Sequence, residues 1–158
     1  MIFKSLLITP VLALALAAPA MSQEPPEVAW DYEGAIGPAF WGELSPAFAA
    51  CSTGRLQSPV DIRNAQPARV PRIRMRYRPT PLLVENNGHT IEALPERDQT
   101  LLIGSKSYQL VQLHPHSPSE HTLAGRRFRM ELHFVHQAAD GERAVVGAFV
   151  RRGRRNDA

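Results

Sequence analysis

Five of the six histidines fall between His114 and His136, and their spacing is the most chemical feature of the chain. His114 and His116 stand two apart. On a strand they would share a face with Cα atoms ~7 Å apart, and Gln112 would share that face too. In the run Met130–His136, the side chains of Glu131, His133 and Val135 would likewise point one way. If the two segments are neighbouring strands, His114, His116 and His133 converge on one point. Three neutral imidazoles with one position left open are the donor set of a catalytic zinc site, with Zn–N near ~2.0–2.1 Å. Gln112 and Glu131 are well typed to accept a ring N–H from a ligand histidine and so fix its tautomer. A structural zinc site more often uses Cys, and the sole Cys51 is far away in sequence. Two histidines at strand spacing also occur as plain packing residues. The second segment, with its acidic residue two before the histidine, is what favours a metal.

The elements that must position these residues read as short strands. The chain has 158 residues, 44% hydrophobic and 21% charged, which fits one domain and excludes a disordered chain. After the first twenty-odd residues nothing reaches the ~20 apolar residues of a membrane helix. Strands are expected at Val60–Ile62, Arg72–Tyr77, Leu82–Glu85, His89–Leu94, Thr100–Ile103, Ser107–His114, Phe128–His136 and Arg143–Val150. The signals Asn86-Asn87-Gly88, Gly104-Ser105 and Asp140-Gly141 punctuate them as turns. A mainly antiparallel β domain follows. Arg72, Arg74, Arg76 and Arg78 alternate with Ile73, Met75 and Tyr77. That period predicts one wet face and one core face, the wet one being either a plain solvated face or a stripe for polyanions. AVVGAFV, residues 144–150, is apolar on both faces, as in a strand covered on both sides.

The ends carry compartment information. Lys4, the apolar run Ser5–Ala17 and Ala18-Pro19-Ala20 have the order of a secretory signal peptide, here residues 1–22. The mature chain is expected to be exported, periplasmic or secreted, with no membrane association after signal removal. Residues 151–158 read as a polar Arg-rich tail. A lone Cys51 is odd for an oxidising compartment.

These stretches together resemble the α-class carbonic anhydrases of the bacterial exported type. The matching segments run in order: Trp30-Asp31-Tyr32, Gly37-Pro38 through Trp41-Gly42, Gln57-Ser58-Pro59-Val60, Asn86-Asn87-Gly88-His89-Thr90, Gln112–His116, Ser119-Glu120-His121-Thr122, Glu131–His136 and Ala144–Gly147. The resemblance implies a large twisted, mostly antiparallel sheet with few short helices. It implies Zn2+ as cofactor and reversible hydration of carbon dioxide to bicarbonate. The partner would be this small-molecule pair, with no nucleic acid. It makes His114, His116 and His133 the zinc ligands and His89 the proton shuttle. Tyr32 belongs to the water network of the site. Glu120 is the buried carboxylate that orients a hydroxyl, and Val135 and Val145 are walls of the CO2 pocket. His121 and His136 read as packing or hydrogen-bonding residues, and Trp30 and Trp41 as core.

The resemblance also implies more chain. Members of the family continue beyond the strand matching AVVGAFV, carrying the threonine that Glu120 orients, a tryptophan of the pocket and a second Cys for Cys51. RRGRRNDA does not resemble that continuation, and without it AVVGAFV is expected to leave an exposed edge. The expected organisation is therefore a signal peptide (1–22), a domain incomplete at its C-terminus (23–150) and a tail (151–158). Weak or absent turnover is expected. The alternatives are a non-catalytic zinc-binding module of the same fold or an inactive gene remnant. Pro115, between two ligands, lacks an N–H that a central strand would use.

Overall fold

A computed structural model describes residues 28–154. The segment read as a signal peptide, residues 1–22, lies outside the described residues, as do residues 155–158 of the tail. The order of elements is α1 (Trp41–Leu44), α2 (Ala50–Thr53), β1 (Asp61–Ile62), β2 (Ile73–Arg76), β3 (Leu82–Asn86), β4 (Ile91–Pro95), β5 (Thr100–Ile103), β6 (Lys106–His116), β7 (Thr122–Leu123), β8 (Met130–Gln137) and β9 (Arg143–Val150). Two 3-10 turns, Gly34–Ile36 and Pro46–Phe48, flank α1. Helices this short bury no face of their own. The Trp41 indole N–H anchors the segment instead, donating to the carbonyls of Asp31 and Ile36 at 3.0 and 3.1 Å.

Seven strands form one sheet, and β6 is its spine. Along one edge β6 pairs antiparallel with β8, which in turn pairs with β9. Its other edge is shared, by β5 over Lys106–Gln109 and by β4 at Leu113. β2 and β3 close the far side, on β5 and β4 respectively. β1 and β7 make a separate parallel pair. The tight connections follow the expected turn chemistry. Gly104 and Gly141 sit at φ +62° and +87°, where a side chain would be strained.

A bulge in β6 decides which residues meet. Leu110 pairs with His136, but Gln112 pairs with Val135, so Val111 is the extra residue. Side chains alternate along a strand, and an inserted residue moves everything beyond it to the other face. Tyr108 and Leu110 therefore face the core, whereas Gln112, His114 and His116, even-numbered as well, face the opposite side. The core face holds Leu101, Tyr108 and Ala138, with Ile103, Ala144 and Val146 packed on them. His136 is fully buried there. Its Nε2 meets the Tyr77 hydroxyl and its Nδ1 the Ala144 carbonyl.

Two expectations need correction. The inner face of β2 is not core: Ile73 and Met75 remain 57% and 48% exposed. Among the described residues β2 pairs with β5 alone, and none of them covers that face. β9 agrees with the expected exposed edge: among the described residues it pairs with β8 alone, and Val145 is 55% exposed. Trp30 and Trp41 lie outside the sheet core, half-buried, edge-to-face at 5.4 Å.

Candidate metal centre

The site is a grid on one face of three adjacent strands. Ladder partners in an antiparallel pair project to the same side. Gln112, His114 and His116 of β6 stand opposite Val135, His133 and Glu131 of β8. These in turn stand opposite Val145, Gly147 and Phe149 of β9. The three imidazoles meet at its centre, with ring centroids 4.9 Å (His114–His116), 5.3 Å (His114–His133) and 4.7 Å (His116–His133) apart. One ring nitrogen from each lies within 4.8 Å of the other two, the spacing of a metal donor set.

On two of the three rings the other nitrogen is held by a neighbour. Nδ1 of His114 lies 2.7 Å from Gln112 Oε1, which can only accept, so the proton is on Nδ1 and the Nε2 lone pair is free. Nε2 of His133 lies 3.0 Å from Glu131 Oε1, leaving Nδ1 for the centre. That contact is bent, and His133 Nε2 has no aligned hydrogen bond among the described residues. A buried N–H beside a carboxylate still fixes the tautomer, since the reverse tautomer would oppose two lone pairs.

Glu131 is itself clamped. The His121 backbone N–H donates to Oε2 at 2.9 Å, His121 Nδ1 lies 2.8 Å from Oε1, and His121 Nε2 is 3.0 Å from the Ser58 hydroxyl. Burial alone would push the Glu131 carboxyl up. The His121 N–H and the His133 and His121 rings outweigh that and hold it below the usual carboxylate range. Burial, and then the neighbouring imidazoles, push His114 and His116 down from the ordinary histidine value. The free rings are thus biased toward the neutral form that binds a metal. A zinc ion fits this donor set: three imidazoles, no thiolate, and tautomers fixed on two of the three rings.

Two cavities flank the triad and share Glu120. One, about 390 Å³, is lined by Glu120, His121, Glu131, His133, Val145 and Gly147, among others. The other, about 680 Å³, is lined by Tyr32, His89, Thr90, His116, Glu120 and Arg127, among others. Val135 is half-buried beside Val145 and lines neither. The Tyr32 ring stands 6.1 Å from that of His116, and burial followed by the Glu120 charge pushes its hydroxyl pKa up. His89 is exposed and stacks on Trp30, with centroids 3.8 Å apart. Glu120 departs from expectation in being 28% exposed rather than buried. Its Oε2 leans toward the triad, 3.4 Å from His116 Nε2 and 3.8 Å from His133 Nδ1. Cys51 is exposed and unpaired, lining a small apolar hollow with Trp30, Trp41 and Phe48.

Pro115 costs the ladder nothing. Its carbonyl accepts from the Thr90 hydroxyl at 3.2 Å, on the side away from β8. N–H and C=O of one strand residue point the same way, so the missing N–H would face β4, whose only pairing with β6 is at Leu113. Sequence reading passed over Gly147 and Ser58 as functional positions. A glycine inside an otherwise apolar strand was the available signal for the first. Nothing local marked the second.

Known proteins share this fold. A family profile of eukaryotic-type carbonic anhydrases matches residues 36–152. The carbonic anhydrase of Neisseria gonorrhoeae is 40% identical over 94% of this chain and 60% of the relative. The α-carbonic anhydrase of Thermovibrio ammonificans, solved with sulfanilamide, superposes with a TM-score of 0.78 at 37% identity, over 83% of this chain and 59% of that one. That of Photobacterium profundum gives 0.74 at 36% identity, over 82% and 58%. The chain thus spans about three fifths of the length of these relatives. Profile, identity and fold agree along nearly all of the described residues: the chain belongs to the eukaryotic-type, or α, carbonic anhydrase family.

Proposed function

We propose that the chain is a zinc-dependent carbonate dehydratase that converts carbon dioxide and water to bicarbonate and a proton. The convergence of His114, His116 and His133, with the tautomers of His114 and His133 set by Gln112 and Glu131, carries this reading. Zinc in such a donor set supplies a water acidic enough to act as hydroxide near neutral pH, carbonic anhydrase itself being the type case of that chemistry. His114 and His116 offer the centre two neighbouring donors from one strand, and His133 a third from the next. Val145 gives the carbon dioxide an apolar wall beside His133, with Val135 behind it. Glu120, which lines both cavities, orients a hydroxyl next to the reacting oxygen. The proton released leaves by the Tyr32 side, where exposed His89 takes it up and passes it to bulk water.

The reading extends to an exported protein, periplasmic or secreted, with residues 1–22 as signal peptide and 23–150 as the domain. A second reading, a zinc-binding module without turnover, is favoured by one observation: the exposure of Val145 and Glu120 leaves the reacting side open to water. Stopped-flow CO2 hydration on zinc-loaded protein separates the two. Hydration abolished by His114→Ala supports the enzyme. One zinc per chain with no hydration above buffer supports the module.

A further inference from the structure

The arginines of β2 form a row that the metal centre does not use. Arg74 and Arg76 stand opposite Leu102 and Thr100 of β5, and the next strand offers Ser107 and Gln109 at the same level. Arg72 and Arg78 extend the row by one position at each end. Alternate strand residues are ~6.6–6.8 Å apart, so an extended backbone from Arg72 to Arg78 spaces the four arginines over about 20 Å. All four residues are exposed. None of them belongs to an ion pair among the described residues, whereas Arg63 pairs with Asp61 and Lys106 with Asp140 and Glu142. The facing positions hold no carboxylate that would neutralise the row. β2 is also a sheet edge, with its outer side unpaired among the described residues.

Edge strands are commonly blunted by charge, especially Lys. Here every position is Arg, in a chain with 16 Arg and 2 Lys. Arg differs from Lys in its planar fork, which binds sulfate and phosphate groups in a bidentate manner. A single line of such forks matches a single line of anions. The surrounding side chains, Thr100, Leu102, Ser107 and Gln109, include no aromatic ring, so the face lacks the stacking platform that single-stranded nucleic acids use. Nor does it have the broad apolar surface by which a helix or loop enters a bilayer interface. We infer that the Arg72–Arg78 row is a docking surface for a linear acidic polysaccharide bearing sulfate or phosphate esters. The row lies on β2, two strands from β6, whose other end carries His114 and His116, and the inference does not depend on metal or turnover.

The test is titration of the full chain with a heparin-derived oligosaccharide across a salt series. Binding should weaken with salt as counterions are released. Arg74→Gln/Arg76→Gln should lose about ten-fold in affinity and lower the slope of log K against log salt by about two. Arg151→Gln/Arg152→Gln, the same change in net charge on the tail, should change affinity less than about two-fold. Should the β2 pair not fold, Arg72→Gln/Arg78→Gln, outside the paired strand, replaces it. No binding by the unmodified chain at about 50 mM salt, or equal losses from the two pairs, overturns the proposal. So does tighter binding to single-stranded DNA or to anionic vesicles, which would make the row a nucleic-acid or a membrane surface instead.

Discussion

Gly147 and Glu131 are fitted to each other across the β8–β9 ladder. A β-carbon on Gly147 would stand 2.7 Å from Glu131 Oε1. The nearest atom is the clamped end of a buried carboxylate, held by His121 on one side and against His133 on the other. It has nowhere to retreat without releasing one of them. Gly147→Ala should therefore act on the metal rather than on the fold. Zinc affinity should drop about 10–100-fold, the usual cost of losing a group that orients a ligand. The β-sheet circular dichroism should stay unchanged. Competition against a chelator reads the affinity, and an unaltered zinc Kd would mean that Glu131 does not orient His133.

Gln112 offers the same test from the other strand. Its Oε1 is 2.7 Å from His114 Nδ1. Gln112→Ala frees the ring to adopt either tautomer, so zinc should dissociate faster, with about 10–100-fold weaker binding. Gln112→Glu keeps an acceptor at the same place and should restore most of the loss. A variant series in which Ala and Glu behave alike would point to packing, not hydrogen bonding, as the role of Gln112.

Most of the strands and the three converging histidines were legible because period two survives on both segments. The bulge was not. Gln112, His114 and His116 share parity with Tyr108 and Leu110, so an unbroken alternation would have sent all five to one face. Val111 is an ordinary strand residue, and only the ladder with β8 shows it to be extra. The inner face of β2 was over-read for a related reason. An apolar pattern records what a strand is suited to pack against. It does not say that the packing element lies among the described residues. The clamp on Glu131 was also hidden, since Ser58 and His121 lie 63 residues apart. Contacts at that range leave no local pattern.

His136 makes stability depend on pH. Burial lowers its pKa in the folded protein from the ordinary 6.5. In the unfolded chain the ring protonates near 6.5, in the folded chain only at lower pH. Between those two values the unfolded state holds more protons, so stability falls as the pH drops below 6.5 and is flat above it. One such group contributes at most about 1.4 kcal/mol per pH unit. Urea unfolding of the metal-free protein at several pH values between 5 and 8, for wild type and His136→Gln, isolates it. The variant should be less stable at pH 8, having lost a buried ring, and should show a shallower loss toward pH 5. Parallel curves for the two proteins would remove His136 from the account.

Val145 separates a role in the site from a role in the fold. It is 55% exposed yet lines the cavity beside His133 and Glu131. Truncating a half-exposed side chain on an edge strand leaves little cavity, and Val145→Ala should change unfolding free energy by no more than about 0.5 kcal/mol. Val145→Tyr projects a ring into the space next to His133 without touching the core face of β9, where Ala144 and Val146 lie. It should leave the melting temperature nearly unchanged and zinc stoichiometry at one per chain. Hydration should instead lose kcat/KM by about ten-fold or more, because the carbon dioxide can no longer approach from the β9 side. If the tyrosine variant hydrates carbon dioxide as fast as wild type, the substrate does not use that cavity. The larger one, lined by Tyr32 and His89, then becomes the route of entry as well as of proton exit.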